Sequence, residues 1–358
     1  MIRMTDRLTR TTALRQEIDP LDDALDDLRI TGSVLLHEAY VPPWAIAVPN
    51  EARLRTLLGV DDDTRVLLFH FVRRGRFELR MTGRETVVVE AGEVAICPTG
   101  VAHRMSLGRG ATPLALEAVL EGKAGAGSPS AATDTTGATE LVCGVFLADA
   151  APLNPMLGAL PPVVKVSTTD SSFSPMLAGV AWMLAHELDR RALGGFTAAR
   201  VIELFCAESI REFQRSTGHE QASWFRGLAD PRVSEAMRCI HAAPKDRWTV
   251  ERLAACVALS PSRFAARFRT VTGRSVMGYV SAWRANLACR LLRESALGVA
   301  EIAELVGYES LPAFSRAFKA QLGQSPASWR AARRASTAQR RVASSSMATS
   351  RSGGGASA

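Results

Sequence analysis

Arg263 and Arg269 lie on one short helical run, and Arg316 and Lys319 lie on a second run about 50 residues later. A guanidinium presents a flat fork of donors. It can grip two acceptors at once, either phosphate oxygens or the O6 and N7 of guanine, whereas an ammonium is a point charge suited to phosphate. At roughly 100° per residue, Ser262, Ala266 and Arg269 point away from Phe264 and Phe268, with Arg263 at the margin. On the second run Pro312, Arg316 and Lys319 point away from Phe314 and Phe318, with Ser315 beside them. For Arg316 this favours a base edge over a phosphate. For Arg263 and Arg269 a phosphate clamp is the better reading. Arg267 projects toward the phenylalanine side, where an intramolecular salt bridge is expected.

The first half of the chain offers a different chemistry. His70, His103 and Glu78 are residue types that hold metals. His70 and His103 stand singly and no His-x-His pair is present, whereas a catalytic metal needs three protein ligands at workable spacing. The expectation is therefore no metal and no other cofactor. Protein purified without added metal should carry well under one equivalent of zinc, iron or manganese. His70 and His103 remain candidates to contact a small-molecule effector or to hydrogen-bond within the interior. Cys97 and Cys143 could act as redox or electrophile sensors, but cysteines in strands are usually buried hydrophobes, and they are read so here.

The cationic residues need a scaffold, and the last third supplies one twice. Leu253, Ala254 and Val257 correspond to Ile302, Ala303 and Val306, while Phe264, Phe268 and Gly273 correspond to Phe314, Phe318 and Gly323. Each copy reads as two short amphipathic helices around a turn of small residues, the helix-turn-helix grammar. Thr249, Ser260 followed by Pro261, and Ser310 mark helix starts. Val276, Val280, Trp283, Leu287 and Leu291 line one helix of about five turns between the copies. That helix would hold the two readers about 34 Å apart on one face of a duplex. Trp283 and Trp329 fall at core spacing.

Upstream, Leu21, Leu25 and Leu28 mark a short acidic helix lying on the body. Short β runs begin near Val34 and continue to about Leu120: Val66 to Val72, a hairpin into Phe77 and Leu79, Thr86 to Glu90, Val94 to Ile96, and Ala102 to Leu107. A low-complexity segment at Gly122 to Gly137 reads as a flexible loop, after which strands resume at Glu140 to Leu147 and Val163 to Val166. This pattern suggests a small barrel or jelly roll. Met176, Val180, Met183, Leu184 and Leu188, then Val201, Leu204, Phe205 and Ile210, keep helical spacing and suggest a helical pair able to carry a dimer contact.

Charge follows the same division. Residues 230–358 carry 20 Lys and Arg against 8 Asp and Glu, while residues 1–229 carry 23 against 28. A basic third on an acidic body points to a polyanionic partner for that third alone. Its only lysines are Lys245 and Lys319, though a GC-rich genome would also favour arginine. Six cysteines without a CxxC pair suit a reducing compartment, and the N-terminus has no apolar run, so a soluble cytoplasmic protein without membrane contact is expected.

The region from Asp230 to Arg334 resembles the DNA-binding domain of AraC/XylS transcription regulators, most diagnostically over EIAELVGYESLPAFSRAFKAQLGQSPASWR. The runs FHFVRRGRFEL, AGEVAICPTGVAHRMSL and ELVCGVF resemble the cupin-type sensor of one branch of that family. The resemblance implies an α+β protein: an N-terminal cupin-like β-barrel over residues 1–168, a helical linker over 169–228, and an all-α C-terminal domain with two helix-turn-helix units over 229–335. Residues 336–358 would form a disordered tail. It implies a non-enzymatic regulator, an activator in many such families, that binds double-stranded DNA as a homodimer under control of a small-molecule effector. RNA polymerase is a candidate partner. Two alternatives stay open: an effector-independent regulator using the barrel only to dimerise, and a metal-dependent cupin enzyme with a DNA-binding module. The sequence departs from the family at Ala258, where glycine is usual, and at Ala266, where arginine is common.

Overall fold

The computed structural model describes residues 19–62, 64–122, 137–149, 153–169, 174–190, 196–216 and 223–333. The tail at 336–358 and most of the low-complexity segment lie outside the described residues. The chain forms two compact units, one of residues 28–150 with 156–218, the other of 1–27 with 151–155 and 219–358.

The first unit is a double sheet. Strands β1 (Thr31–Tyr40), β3 (Thr64–Arg74), β6 (Glu93–Cys97), β9 (Thr139–Asp149) and β10 (Val164–Ser167) form one sheet in the order β1-β9-β3-β6-β10. The second holds β2 (Trp44–Val48), β4 (Arg76–Met81), β5 (Val87–Glu90), β7 (His103–Leu107) and β8 (Leu114–Ala115) in the order β5-β4-β7-β2-β8. This is the cupin-like arrangement, and its core lies between the sheets. Leu68, Val72, Leu141 and Val145 come from the first sheet; Ile46, Phe77, Leu79 and Met105 come from the second. Strand β3 is apolar without alternation because both of its faces are covered. Phe69 and Phe71 leave the core on the far side and pack edge-on against Phe205 of the helix Phe196–Ser216.

A helix at Glu51–Leu58 interrupts the strands where the sequence suggested only β runs. Asn50 caps it through Arg53 N and Gly59 closes it in the left-handed region, yet only Leu54 is buried. One buried residue in eight is no periodic stripe, so the pattern gave no signal. The helical pair is present as Pro175–Asp189 and Phe196–Ser216. Met176, Met183 and Leu204 do not face inward as their spacing suggested. The buried residues are Leu177, Val180, Ala181, Leu184 and Leu188 on the first helix, and Val201, Ile202, Phe205 and Ile210 among those on the second. Met176, Trp182, Phe196 and Leu204 are at least half exposed.

The described elements of the second unit are all helical. Its helices are Trp224–Ala229, Pro231–Ala242, Val250–Cys256, Pro261–Thr272, Val276–Glu294, Val299–Leu305 and Leu311–Leu322, with further helix at 326–333. The acidic helix Pro20–Leu28 groups with this unit through Asp27, although sequence order places it beside the β domain. Asn286 Nδ2 donates to Asp27, Arg290 lies 3.5 Å from the same carboxylate, and Asn154 Nδ2 donates to Ala24 O at 2.8 Å. Burial pushes the Asp27 carboxyl above its ordinary range, against the pull of Arg290 and the Asn286 hydrogen bond.

The two helix-turn-helix cores repeat one another. Leu253, Ala254, Val257, Phe264 and Phe268 are buried in the first, and Ile302, Ala303, Val306, Phe314 and Phe318 in the second. Trp283 and Trp329 are core residues, 7% and 2% exposed. The equivalent turns differ in one respect. Gly307 has φ +88°, and Ala258 holds φ +53° with a side chain that disfavours it. Ala258→Gly is therefore expected to stabilise the protein by somewhat under ~1 kcal/mol, because glycine also loses more freedom on folding. Denaturant melts check this, and a lower midpoint would show that the turn is unstrained.

Candidate nucleic-acid interface

The first recognition helix, Pro261–Thr272, starts after Ser260 with Pro261 at its first position. The second, Leu311–Leu322, starts after Ser310, whose hydroxyl accepts from Ala313 N at 3.4 Å. Each is anchored by an edge-to-face phenylalanine pair: Phe264 with Phe268 at 5.8 Å, and Phe314 with Phe318 at 5.6 Å. The anchors fix the rotation of each helix. Ser262, Arg263, Ala266 and Arg269 are then exposed on the first, as are Pro312, Arg316 and Lys319 on the second, with Ser315 half-buried beside them. Among the described residues, no carboxylate pairs with Arg263, Arg269, Arg316 or Lys319.

Neighbouring arginines are committed to intramolecular partners. Arg267 grips Asp230 with Nη2 at 2.6 Å and Nε at 3.1 Å, which is the internal bridge expected of it. Burial raises the Asp230 carboxyl, but the Arg267 hydrogen bonds and the amides of Val233 and Arg232 outweigh this and hold it below the usual range. Asp230 thereby caps Pro231–Ala242 and ties that helix to the first recognition helix. Arg284 donates to Pro244 O and Asp246 O, at 2.8 and 2.7 Å, and is likewise structural.

In the double sheet, His70 and His103 meet. Their Nε2 atoms are 2.9 Å apart, and both residues are buried. His103 Nδ1 lies 3.1 Å from Val101 O, so it carries a proton and donates, leaving the lone pair on Nε2. Cys97 Sγ is 4.0 Å from that same nitrogen, and Cys143 Sγ is 3.0 Å from His70 Nδ1. Burial lowers the basicity of both imidazoles and pushes the Cys97 thiol up to about 12 and the Cys143 thiol higher still. Glu78 is not in this cluster; it is exposed enough to pair with Arg80 at 2.8 Å.

A cupin profile matches residues 19–214, more than half of the chain, and a helix-turn-helix profile matches residues 253–332. A putative AraC-like transcription regulator of Streptomyces antibioticus is 29% identical over 322 residues, covering 87% of this chain and 98% of that protein. The chain belongs to the AraC family of transcription regulators. This AraC-family regulator is also 27% identical over 317 residues to the HTH-type transcriptional regulator AlkR of Acinetobacter baylyi, covering 87% and 99% of the two chains. A putative AraC-like regulator of Streptomyces lividans is 36% identical over 179 residues, and the match spans 58% of its length. Among solved structures, the DNA-binding domain of AdpA in complex with a target DNA is 37% identical over 30% of this chain and 95% of that one, at TM-score 0.29. The relatives are transcription regulators rather than enzymes. Among the described residues, no helix of the AraC-family chain is long and apolar enough to cross a membrane.

Sequence reasoning assigned nothing to His241, which the structure makes a buried junction of this regulator. Its ring stacks on Trp283 at 3.6 Å, its Nε2 lies 2.8 Å from Tyr279 Oη, and its Nδ1 lies 3.2 Å from Asp23. Trp224 Nε1 donates to the same Tyr279 oxygen at 3.1 Å, so the Tyr279 hydroxyl donates to His241 and the His241 Nδ1–H donates to Asp23. Burial lowers the His241 pKa, and Asp23 works against that shift. No spacing rule links positions 23 and 241. Strand period does carry a signal for the barrel cluster. Leu68, His70 and Val72 share the inward face with Ala95 and Cys97 and with Leu141, Cys143 and Val145.

Proposed function

We propose that the regulator lays its two recognition helices into successive major grooves, with Arg316 as the principal base reader. The observation that carries this is the division among the cations. Arg267 and Arg284 are spent on intramolecular partners, while Arg263, Arg269, Arg316 and Lys319 are exposed, and unpaired among the described residues, on the faces opposite the phenylalanine anchors. Ser262 and Ala266 are short and add little discrimination, so the first unit docks through the phosphate contacts of Arg263 and Arg269. Pro312 and Ser315 flank Arg316, and Lys319 adds a phosphate contact. Hydroxyl-radical footprinting on a bound operator tests the arrangement. Two protected grooves about 34–36 Å apart are expected; one protected groove alone would remove a unit from the interface.

The cupin-like unit is the proposed control element, working in the cytoplasm on a small-molecule effector. A cleft of about 170 Å³ lined by Leu79, Met81, Arg84, Glu85, Val87, Pro162 and Val163 opens on it, with an apolar wall and two charges. His70 and His103 lie in the interior and would respond to an effector that reaches the core. Binding would bias the orientation or pairing of the DNA-binding units, a population shift between states of unequal DNA affinity. A thermal-shift screen against small metabolites separates this from the effector-independent reading.

The outward residues of the helical pair support a homodimer. Trp182 and Phe196 are 67% and 81% exposed, with Met176 and Leu204 also outward, an unusual outlay of large apolar surface. Trp182→Glu with Leu204→Glu is expected to shift a dimer to monomer in sedimentation velocity while leaving the melting temperature within a few degrees. A wild-type monomer at tens of micromolar would refute the assignment. RNA polymerase remains a partner on the family reading.

A further inference from the structure

We propose that His70 Nε2, His103 Nε2 and Cys97 Sγ form a binding site for one divalent cation of zinc-like character inside the cupin-like unit. This reverses the metal-free expectation from the sequence, which weighed imidazoles and a carboxylate and set Cys97 aside as a strand cysteine. The three ligand atoms lie within 4.8 Å of one another, and all three residues are buried. Tetrahedral zinc, with Zn–N near 2.0 Å and Zn–S near 2.3 Å, places ligand atoms about 3.3–3.6 Å apart. The observed separations of 2.9 Å between the nitrogens and 4.0 Å from Cys97 Sγ to His103 Nε2 fall on either side of that, within shifts of under an ångström.

The surroundings are those a ligating histidine needs. A metal-bound imidazole donates its other N–H to a carbonyl or a comparable acceptor, which fixes tautomer and orientation. His103 already does so, with Nδ1 on Val101 O at 3.1 Å. His70 can do so too, because Cys143 Sγ lies 3.0 Å from its Nδ1. In the cation-free state a proton sits between the two Nε2 atoms, on His70, and the Cys143 thiol donates to His70 Nδ1. On binding, that proton moves to Nδ1 with Cys143 Sγ as acceptor, the Cys97 thiol releases its proton to solvent, and the cation takes the vacated lone pairs and the thiolate. No oxidation is involved. Three protein ligands leave a tetrahedral cation one position for water or an incoming small molecule. The register produces the site. His70 pairs with Cys143 across β3 and β9, Leu68 pairs with Cys97 across β3 and β6, and His103 opens β7 in the facing sheet.

The test is titration of the full-length, chelator-stripped protein with Co²⁺ and then Zn²⁺. One equivalent of Co²⁺ is expected to bind with a thiolate-to-cobalt charge-transfer band, displaced by Zn²⁺, with release of protons. Cys97→Ser, which preserves shape, should remove that band and weaken binding at least tenfold. Cys143→Ala should keep the stoichiometry and the band, with affinity lowered by roughly 10–100-fold as for a lost outer partner. Cys239→Ser, in the other unit, should change nothing. Failure of the wild-type protein to take up cobalt stoichiometrically would overturn the proposal even if a variant misfolded. So would a charge-transfer band that survives in Cys97→Ser. Neither outcome depends on the effector or DNA readings.

Discussion

Arg316→Ala is expected to lower affinity for the specific operator by roughly 5- to 150-fold, the ~1–3 kcal/mol that a bidentate arginine–guanine contact contributes to discrimination. Affinity for random DNA should fall far less. The reason lies in how the side chain is held. Phe314 and Phe318 pin the inner face of the second recognition helix, and Arg316 is exposed on the opposite face without an internal carboxylate to recruit it. Arg263→Ala and Arg269→Ala should weaken binding to both duplexes about equally. Each should also reduce the dependence of log affinity on log salt by about one, since a lost phosphate contact releases fewer counterions. The experiment is a titration of each variant on specific and scrambled duplexes at several salt concentrations. If Arg316→Ala weakened both duplexes alike while Arg263→Ala relaxed sequence preference, the first helix would be the main reader.

Gly307→Ala is expected to destabilise the DNA-binding unit by about 2–4 kcal/mol, from left-handed strain and overpacking together. Gly307 sits at φ +88°, and a Cβ there would meet Lys245 Cα at 2.7 Å and its carbonyl oxygen at 2.9 Å. Backbone atoms cannot swing aside as a flexible side chain can. The third neighbour, Arg284 Nη2 at 2.8 Å, is itself held by Asp246 O. The equivalent Ala258 already accommodates its methyl group, so substitutions at the two turns should have opposite signs. Thermal melts of the two variants compare them directly, with Gly307→Ala expected to lose several degrees. Equal, small effects at both positions would mean that the second turn relaxes.

The helix-turn-helix repeat was legible because its determinants are local. Ser260–Pro261, the Phe264/Phe268 and Phe314/Phe318 spacings and the glycines at the helix ends each set conformation within a few residues, and a 3.6-residue period then decides which face is buried. The outward positions of Ser262, Arg263, Ala266, Arg269, Pro312, Arg316 and Lys319 follow from that period. So does the Arg267–Asp230 bridge expected on the flank beside the phenylalanines. The strands were legible for the same reason, through alternation and Gly/Pro turns. Short elements with one buried residue, such as Glu51–Leu58, left no periodic trace.

What tertiary structure alone decided was which distant residues meet. Alternation places His70, Cys97 and Cys143 on inward faces, but the pairing register across β3, β6 and β9 brings them together, and only the packing of the second sheet delivers His103. Strand register depends on side-chain packing between segments far apart in the chain, which no local window contains. The grouping of Pro20–Leu28 with the C-terminal helices has the same cause. Asp23 and Asp27 find His241, Asn286 and Arg290 more than 200 positions away, and burial makes those hydrogen bonds specific. On the helical pair, spacing identified the helices but not which apolar residues would be covered, because each carries apolar groups around more than one face. Packing of Phe196–Ser216 against β1, β9 and β10, and of Pro175–Asp189 against Phe196–Ser216, buries one stripe on each helix and leaves Trp182, Phe196 and Leu204 to solvent.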